Sequence, residues 1–138
     1  MSMYTNGMNK YGDYFYVLFR ILVGLMFLIH GGQKLFGWFG GPGGKGSVPL
    51  ASLFGAAGVI ETFVGLMLIL GFFTRLFATL GAVEMLVAFF KAHFPNGWIP
   101  LLNGGELALL YFAAFLVIMV YGSRKWSLEQ SLLKKEVF

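Results

Sequence analysis

Runs of apolar positions with few polar interruptions divide the chain into four segments, over about 14–36, 50–72, 75–93 and 103–122. Each is at or near the roughly 20 residues a helix needs to cross the hydrocarbon core of a bilayer. The clean apolar stretches are shorter. In the third segment Leu76–Val83 is broken by Glu84 and resumes over Met85–Phe90; in the fourth the run starts at Leu107, after Glu106. Gly40-Gly41-Pro42-Gly43-Gly44-Lys45-Gly46-Ser47 reads as a loop, as does Pro95-Asn96-Gly97 with Pro100, and Phe72-Phe73-Thr74 leaves room for a tight turn. Short joints make successive helices antiparallel neighbours. The expected fold is therefore all-α: an integral membrane four-helix up-down-up-down bundle forming one domain over 1–138.

Composition supports the membrane reading. The chain is 58% hydrophobic and 12% charged, against about 25% charged in ordinary soluble domains. A soluble bundle would carry charge on an outer face at every third or fourth position, yet Glu84 is the one ionisable residue between Leu76 and Phe90. The chain has no cysteine, which excludes a disulfide scaffold, Cys-ligated zinc or iron–sulfur centres and a thiol redox group. The polar, tyrosine-rich start and the long first apolar run give no sign of a cleavable signal peptide.

Charge then sets orientation. Lys10, Arg20, Arg75, Arg124, Lys125, Lys134 and Lys135 fall towards one side and Lys34, Lys45 and Lys91 towards the other, seven against three. The basic-side rule puts both termini in the cytoplasm. Trp38 and Trp98 are then expected at the outer interface and Trp126 at the inner one. The net charge of +4 is a topology signal, and without a nucleic-acid motif no DNA or RNA partner is expected.

The polar residues inside apolar spans are the candidate chemistry, because a charge at a membrane helix centre costs roughly 2.5–3.5 kcal/mol and normally faces a partner. Arg20, His30, Glu61, Glu84 and Glu106 lie within the spans, with Gln33, Lys34, Lys91, His93 and Asn103 near the outer ends. Gly55, Gly58, Glu61, Thr62 and Gly65 share one face of the second helix, and Gly81, Glu84, Ala88 and Lys91 one face of the third. Small-residue stripes let membrane helices approach closely. At helical rise, a cluster of Arg20, Glu61 and Glu84 is within reach, and His30, Gln33, Lys34, Lys91 and Glu106 would line a pocket opening outward. An inert alternative stands beside this: Arg20 paired with Glu61 or Glu84 only to fix helix register. A haem held by His30 and His93 lacks a supporting Cys-x-x-Cys-His motif or second His pair. No metal site is expected, and the glycine-rich run lacks the Gly-Lys-Ser/Thr order of a phosphate loop. Gly37-Trp38 and Gly97-Trp98 hint at a duplicated two-helix unit.

An ordered set of short motifs resembles the DoxX family of small membrane proteins. It comprises Arg20-x3-Gly24, His30-Gly31-x2-Lys34-Leu35, Glu61-x3-Gly65, Gly71-x2-Thr74-Arg75, His93-x-Pro95, Asn103-Gly104-Gly105-Glu106, and Gly122 with Trp126-Ser127-Leu128. Ala88 fits the same set; Glu129 stands where the family more usually has Asp, and Glu84 is not among its signals. The resemblance implies a four-helix protein of the cytoplasmic membrane with redox roles: a membrane subunit of thiosulfate:quinone oxidoreductase, a partner in superoxide and thiol detoxification, or resistance to catechols and quinones.

Three functions follow as expectations. The first is a quinone-linked redox component, with His30, Glu61 and Arg20 at the reacting head group and Gln33, Lys34, Glu84, Lys91, His93 and Glu106 binding it. Phe27, Phe63 and Phe89 would line the approach from lipid, and a partner protein would supply the electrons. The second is a non-catalytic accessory subunit of a larger respiratory complex. The third is a proton or small-solute conduit, and a homo-oligomer is compatible with each.

Overall fold

The computed structural model describes residues 3–138, with side chains from Met8 onward; the first two residues of the polar N-terminal tail lie outside it. The described residues form helices and loops without a strand. The long first helix, α1, spans Met3–Phe36, so the helix begins well before the expected residue 14. No proline occurs before Pro42, and nothing in the polar tail stops the helix from extending. Its 34 residues reach about 51 Å. It ends at Gly37, which takes the left-handed conformation at φ 69°.

Helix α2 (Leu53–Leu70) starts at an N-cap, where the Ser52 hydroxyl accepts the Gly55 N–H at 3.0 Å. It stops at left-handed Gly71 (φ 65°). The tight turn delivers the chain into α3 (Thr74–Ala88). The third segment does not stay α-helical to residue 93. Phe89–His93 forms a π turn, closed by the Phe94 N–H on the Phe89 carbonyl. Pro95 has no N–H for the next α bond, so the helix widens and ends there. The fourth segment is likewise interrupted. A short helix α4 (Pro100–Asn103) breaks at Gly104 (φ 76°), and the Asn103 side-chain oxygen takes the Gly105 N–H at 2.8 Å. The long helix α5 therefore runs Glu106–Tyr121. A short helix α6 (Leu128–Leu133), too brief to leave a periodic pattern, is capped by Ser127.

Packing pairs α1 with α2 and α3 with α5, with a lesser contact between α2 and α3. Glycines make the first pair close. A Cβ on Gly65 would lie 2.5 Å from the Leu28 nitrogen and 2.6 Å from the Gly24 carbonyl, and one on Gly58 would lie 2.9 Å from the Lys34 Cβ. These contacts run in opposite directions along the two helices, so α1 and α2 are antiparallel. Gly81 of α3 instead faces α5, where a Cβ would lie 2.8 Å from the Phe115 ring. The two small-residue stripes thus serve different neighbours rather than meeting each other. Between the pairs sits a core of Phe27, Val64, Leu68, Ala78, Phe115 and Ile118, with the Phe27 and Phe115 rings edge-on at 4.8 Å.

The outside is apolar too: Leu18, Leu22, Leu66, Leu76, Val83, Leu110 and Val120 are all exposed. Met8–Phe36, Leu53–Leu70 and Thr74–Asn96 are helical, long and apolar enough to cross a membrane, and Glu106–Tyr121 is a shorter apolar helix. Such surfaces suit a bilayer, where exposed apolar side chains meet acyl chains rather than water.

Candidate functional site

Buried polar groups collect at two places. The first is the end of the packing where the tight α2–α3 turn meets the C-terminal segment. Arg20 is fully buried, but no carboxylate among the described residues bonds to it, Glu136 lying within electrostatic range only. Its guanidinium donates to the backbone carbonyls of Ser123, Lys125 and Trp126, the last two at 3.2 and 3.0 Å. The expected cluster of Arg20 with Glu61 and Glu84 does not form, because Arg20 lies about four turns before Lys34, the α1 residue that Glu61 meets, and its fork is taken up by carbonyls freed beyond α5. Further bonds fasten the same segment. The Ser127 hydroxyl donates to the Gly71 carbonyl at 2.9 Å, the Tyr16 hydroxyl to that of Gly122 at 2.6 Å, and Glu129 accepts the Val137 and Phe138 N–H groups at 2.7 and 3.2 Å. Arg75 pairs with Glu136 at 3.6 Å.

The second place is a cavity of about 560 Å3 towards the opposite end, walled by α1, α2, α3 and α5. Lys34 and Glu61 meet across the α1–α2 seam, with the ammonium 2.5 Å from both carboxyl oxygens. Their side chains are 15% and 5% exposed, so this is a buried, doubly bonded ion pair. The helix spacing explains it: Gly58 lets α2 approach the Lys34 Cβ, and Glu61 follows one turn later. His30, one turn before Lys34, lines the same cavity and sets its ring edge-on to Tyr111 at 5.9 Å.

Glu84 reaches the cavity from α3 and lies within electrostatic range of Glu61 and Lys34. Both its oxygens are buried and lack a hydrogen-bond partner among the described residues. Lys91 and His93 stand at the rim, His93 with Nδ1 3.3 Å from the Asn103 carbonyl. Exposed Leu53 and Phe54 of α2 and exposed Leu80, Val83 and Val87 of α3 also line the cavity, which therefore opens sideways between these two helices.

Of the residues expected at one site, His30, Lys34, Glu61, Glu84, Lys91 and His93 are brought together. Arg20, Gln33 and Glu106 are not. Gln33 turns towards the glycine-rich loop, 3.5 Å from the Gly41 carbonyl, and Glu106, at the first turn of α5, is exposed outside the cavity. Phe27 does line the cavity, whereas Phe63 faces outward at 53% exposure and Phe89 packs in the core. Among the wall residues that had not been singled out are Tyr111 and Met85. Tyr111 carried a readable signal: it is the one polar side chain between Glu106 and Tyr121. Met85 carried none.

The DoxX family profile matches residues 15–94. An uncharacterized protein of Haemophilus influenzae is 40% identical over 134 residues, covering 94% of this chain and 99% of its own length. No solved structure matches the chain. The matched region contains Arg20, the Lys34–Glu61 pair and Glu84, together with the apolar helices that carry them. The chain belongs to the DoxX family and is a membrane protein.

Proposed function

We propose that this protein is the membrane component of a quinone-linked redox system and that the cavity between α2 and α3 receives the quinone. The observation that carries the reading is the cavity itself. A largely apolar volume of about 560 Å3, open sideways between two exposed apolar helix faces, encloses a few converging polar groups: the Lys34–Glu61 pair, His30 and Glu84. Pockets for small hydrophobic ligands have this make-up, with an apolar lining for the body and a few placed polar groups for the head. A quinone suits it because its ring and tail dissolve in the bilayer and its ring oxygens need hydrogen-bonding groups. In this reading the four long helices form an up-down-up-down bundle in the cytoplasmic membrane with both termini inside. The side opening then faces acyl chains, so the ligand comes from the lipid.

In this reading His30 and Glu61 exchange protons with a bound head, which their position on the cavity wall supports, and Lys34, bonded to Glu61, holds it in position. Arg20 has no part in this chemistry, since it does not line the cavity and its terminal nitrogens are bonded to the C-terminal segment. Electrons come from a partner protein. The test is a native mass spectrum of the protein released from its membrane in mild detergent, before and after addition of a decyl-substituted benzoquinone. A quinone adduct that is diminished in Glu61→Gln is expected. A wild-type protein that neither carries nor takes up quinone, in its oxidised or its reduced form, rejects the reading.

A further inference from the structure

One buried polar group in the cavity has no partner within the protein. Glu84 is 9% exposed, both its carboxyl oxygens are covered, and neither meets a hydrogen-bond donor among the described residues. Native interiors leave few polar groups in this condition, and each calls for an explanation such as a functional role or a bound species. The other buried carboxyls differ. Both oxygens of Glu61 are bonded to Lys34, and one oxygen of Glu129 accepts two backbone N–H groups while its other is unbonded, so Glu84 is the carboxyl with neither oxygen bonded. Lys34 is committed to Glu61, so Glu84 has neither a cation of its own nor a hydrogen bond.

The group's chemistry narrows what completes it. A carboxyl oxygen accepts hydrogen bonds whether or not the carboxyl carries a proton, so the partner that fits in either state is a donor. The wall around it, Ile60, Leu80, Met85 and Leu107, is apolar. It takes a ring and a hydrocarbon tail, and the few polar groups beyond it, with Glu61 already bonded to Lys34, are too sparse to replace the hydration shell of a small cation or sugar. A ring hydroxyl meets both conditions. Resting on the quinone reading above, we infer that Glu84 accepts a hydrogen bond from a ring hydroxyl of the ligand, so that the cavity selects the reduced, hydroxyl-bearing form of a quinone.

The probes that test this share one ring and one decyl tail: a decyl-benzenediol, its di-O-methyl ether, which cannot donate, and the matching benzoquinone. Binding is measured anaerobically in mild detergent by competition in native mass spectra. Wild-type protein is expected to bind the diol about tenfold more tightly than the ether, because the ether leaves a buried acceptor unpaired. Glu84→Gln keeps a carbonyl oxygen and should retain the preference; Glu84→Leu should bring the two probes to near parity. Equal wild-type affinity for diol and ether, or a preference that survives in Glu84→Leu, overturns the Glu84 contact and leaves the quinone reading standing. A wild-type protein that binds none of the three probes overturns the quinone reading and the contact with it. Should Glu84→Leu fail to fold, the wild-type comparison of diol with ether and the behaviour of Glu84→Gln decide the matter.

Discussion

The two ends of this molecule hold buried charge in opposite ways. Around Arg20 the charge is met within the chain: three carbonyls beyond α5 bond its two terminal nitrogens, and Ser127, Tyr16 and Glu129 tie down the same segment, although the Arg20 Nε and one oxygen of Glu129 stay unbonded. Around Lys34 the chain is incomplete. One ion pair is closed, but a second carboxyl, Glu84, faces an apolar cavity with both oxygens unbonded. A buried charge whose partners all belong to the chain reads as architecture. A buried polar group beside a cavity, lacking such partners, reads as a place for something else.

The largest effect that would sharpen this contrast is expected at the ion pair. Lys34→Met leaves Glu61 buried without its cation and should cost about 3–5 kcal/mol of stability, while Lys34→Met with Glu61→Leu should return close to wild type. Thermal unfolding in detergent, followed by circular dichroism, reads both. A double variant as unstable as the single one would show that the pair is not the closed unit described. Next in size is Arg20→Met, which strips the Ser123, Lys125 and Trp126 carbonyls of their donor and should cost roughly 2–3 kcal/mol. Adding Glu61→Leu should not rescue it; rescue would mean that Arg20 and Glu61 are partners after all. Limited proteolysis should also cut the loosened segment after Lys125 faster than in wild type.

A smaller loss, about 1–3 kcal/mol, is expected for Gly65→Ala, where a Cβ meets the Leu28 and Gly24 backbone. Gly12→Ala, with nothing within 4 Å of the added carbon, is the control and should not destabilise. If Gly65→Ala were as harmless, the close α1–α2 approach that sets Lys34 against Glu61 would be in question. The smallest effect has the opposite sign. Glu84→Leu replaces an unpartnered buried carboxyl with an apolar side chain and should raise stability by about 1 kcal/mol while impairing ligand selection. A clear loss of stability would mean that Glu84 is structural, like Arg20.

Much of the helical architecture was legible in the chain, because long apolar runs punctuated by glycine and proline have few other solutions. The breaks were less so. The π turn at Phe89–His93 and the restart at Glu106 depend on how Pro95 and Gly104 redirect individual backbone bonds, which hydropathy does not register. The candidate site was legible as a set of polar residues but not as pairs. Depth along a helix placed Arg20 within reach of Glu61, yet the side chain turned to carbonyls of a C-terminal segment whose fold left no periodic trace. Lys34, assigned to the outer rim, became the partner of Glu61 because Gly58 draws α2 against that part of α1. Gln33 and Glu106 left the site for a similar reason: helix rotation and the late start of α5 turn them away from the cavity.

The central claim is that the cavity beside Lys34 and Glu84 binds a ligand and the Arg20 end does not. Its most direct test is the unfolding midpoint of the purified protein in mild detergent with and without saturating decyl-benzenediol. Binding to the native state alone stabilises it by roughly 2.7 kcal/mol at a hundred times the dissociation constant. The midpoint should therefore rise in wild type and in Ser127→Ala, which alters the Arg20 end, and should not move in Ala88→Trp, which fills the cavity. An unmoved wild-type midpoint, or an equal rise in Ala88→Trp, would contradict the claim.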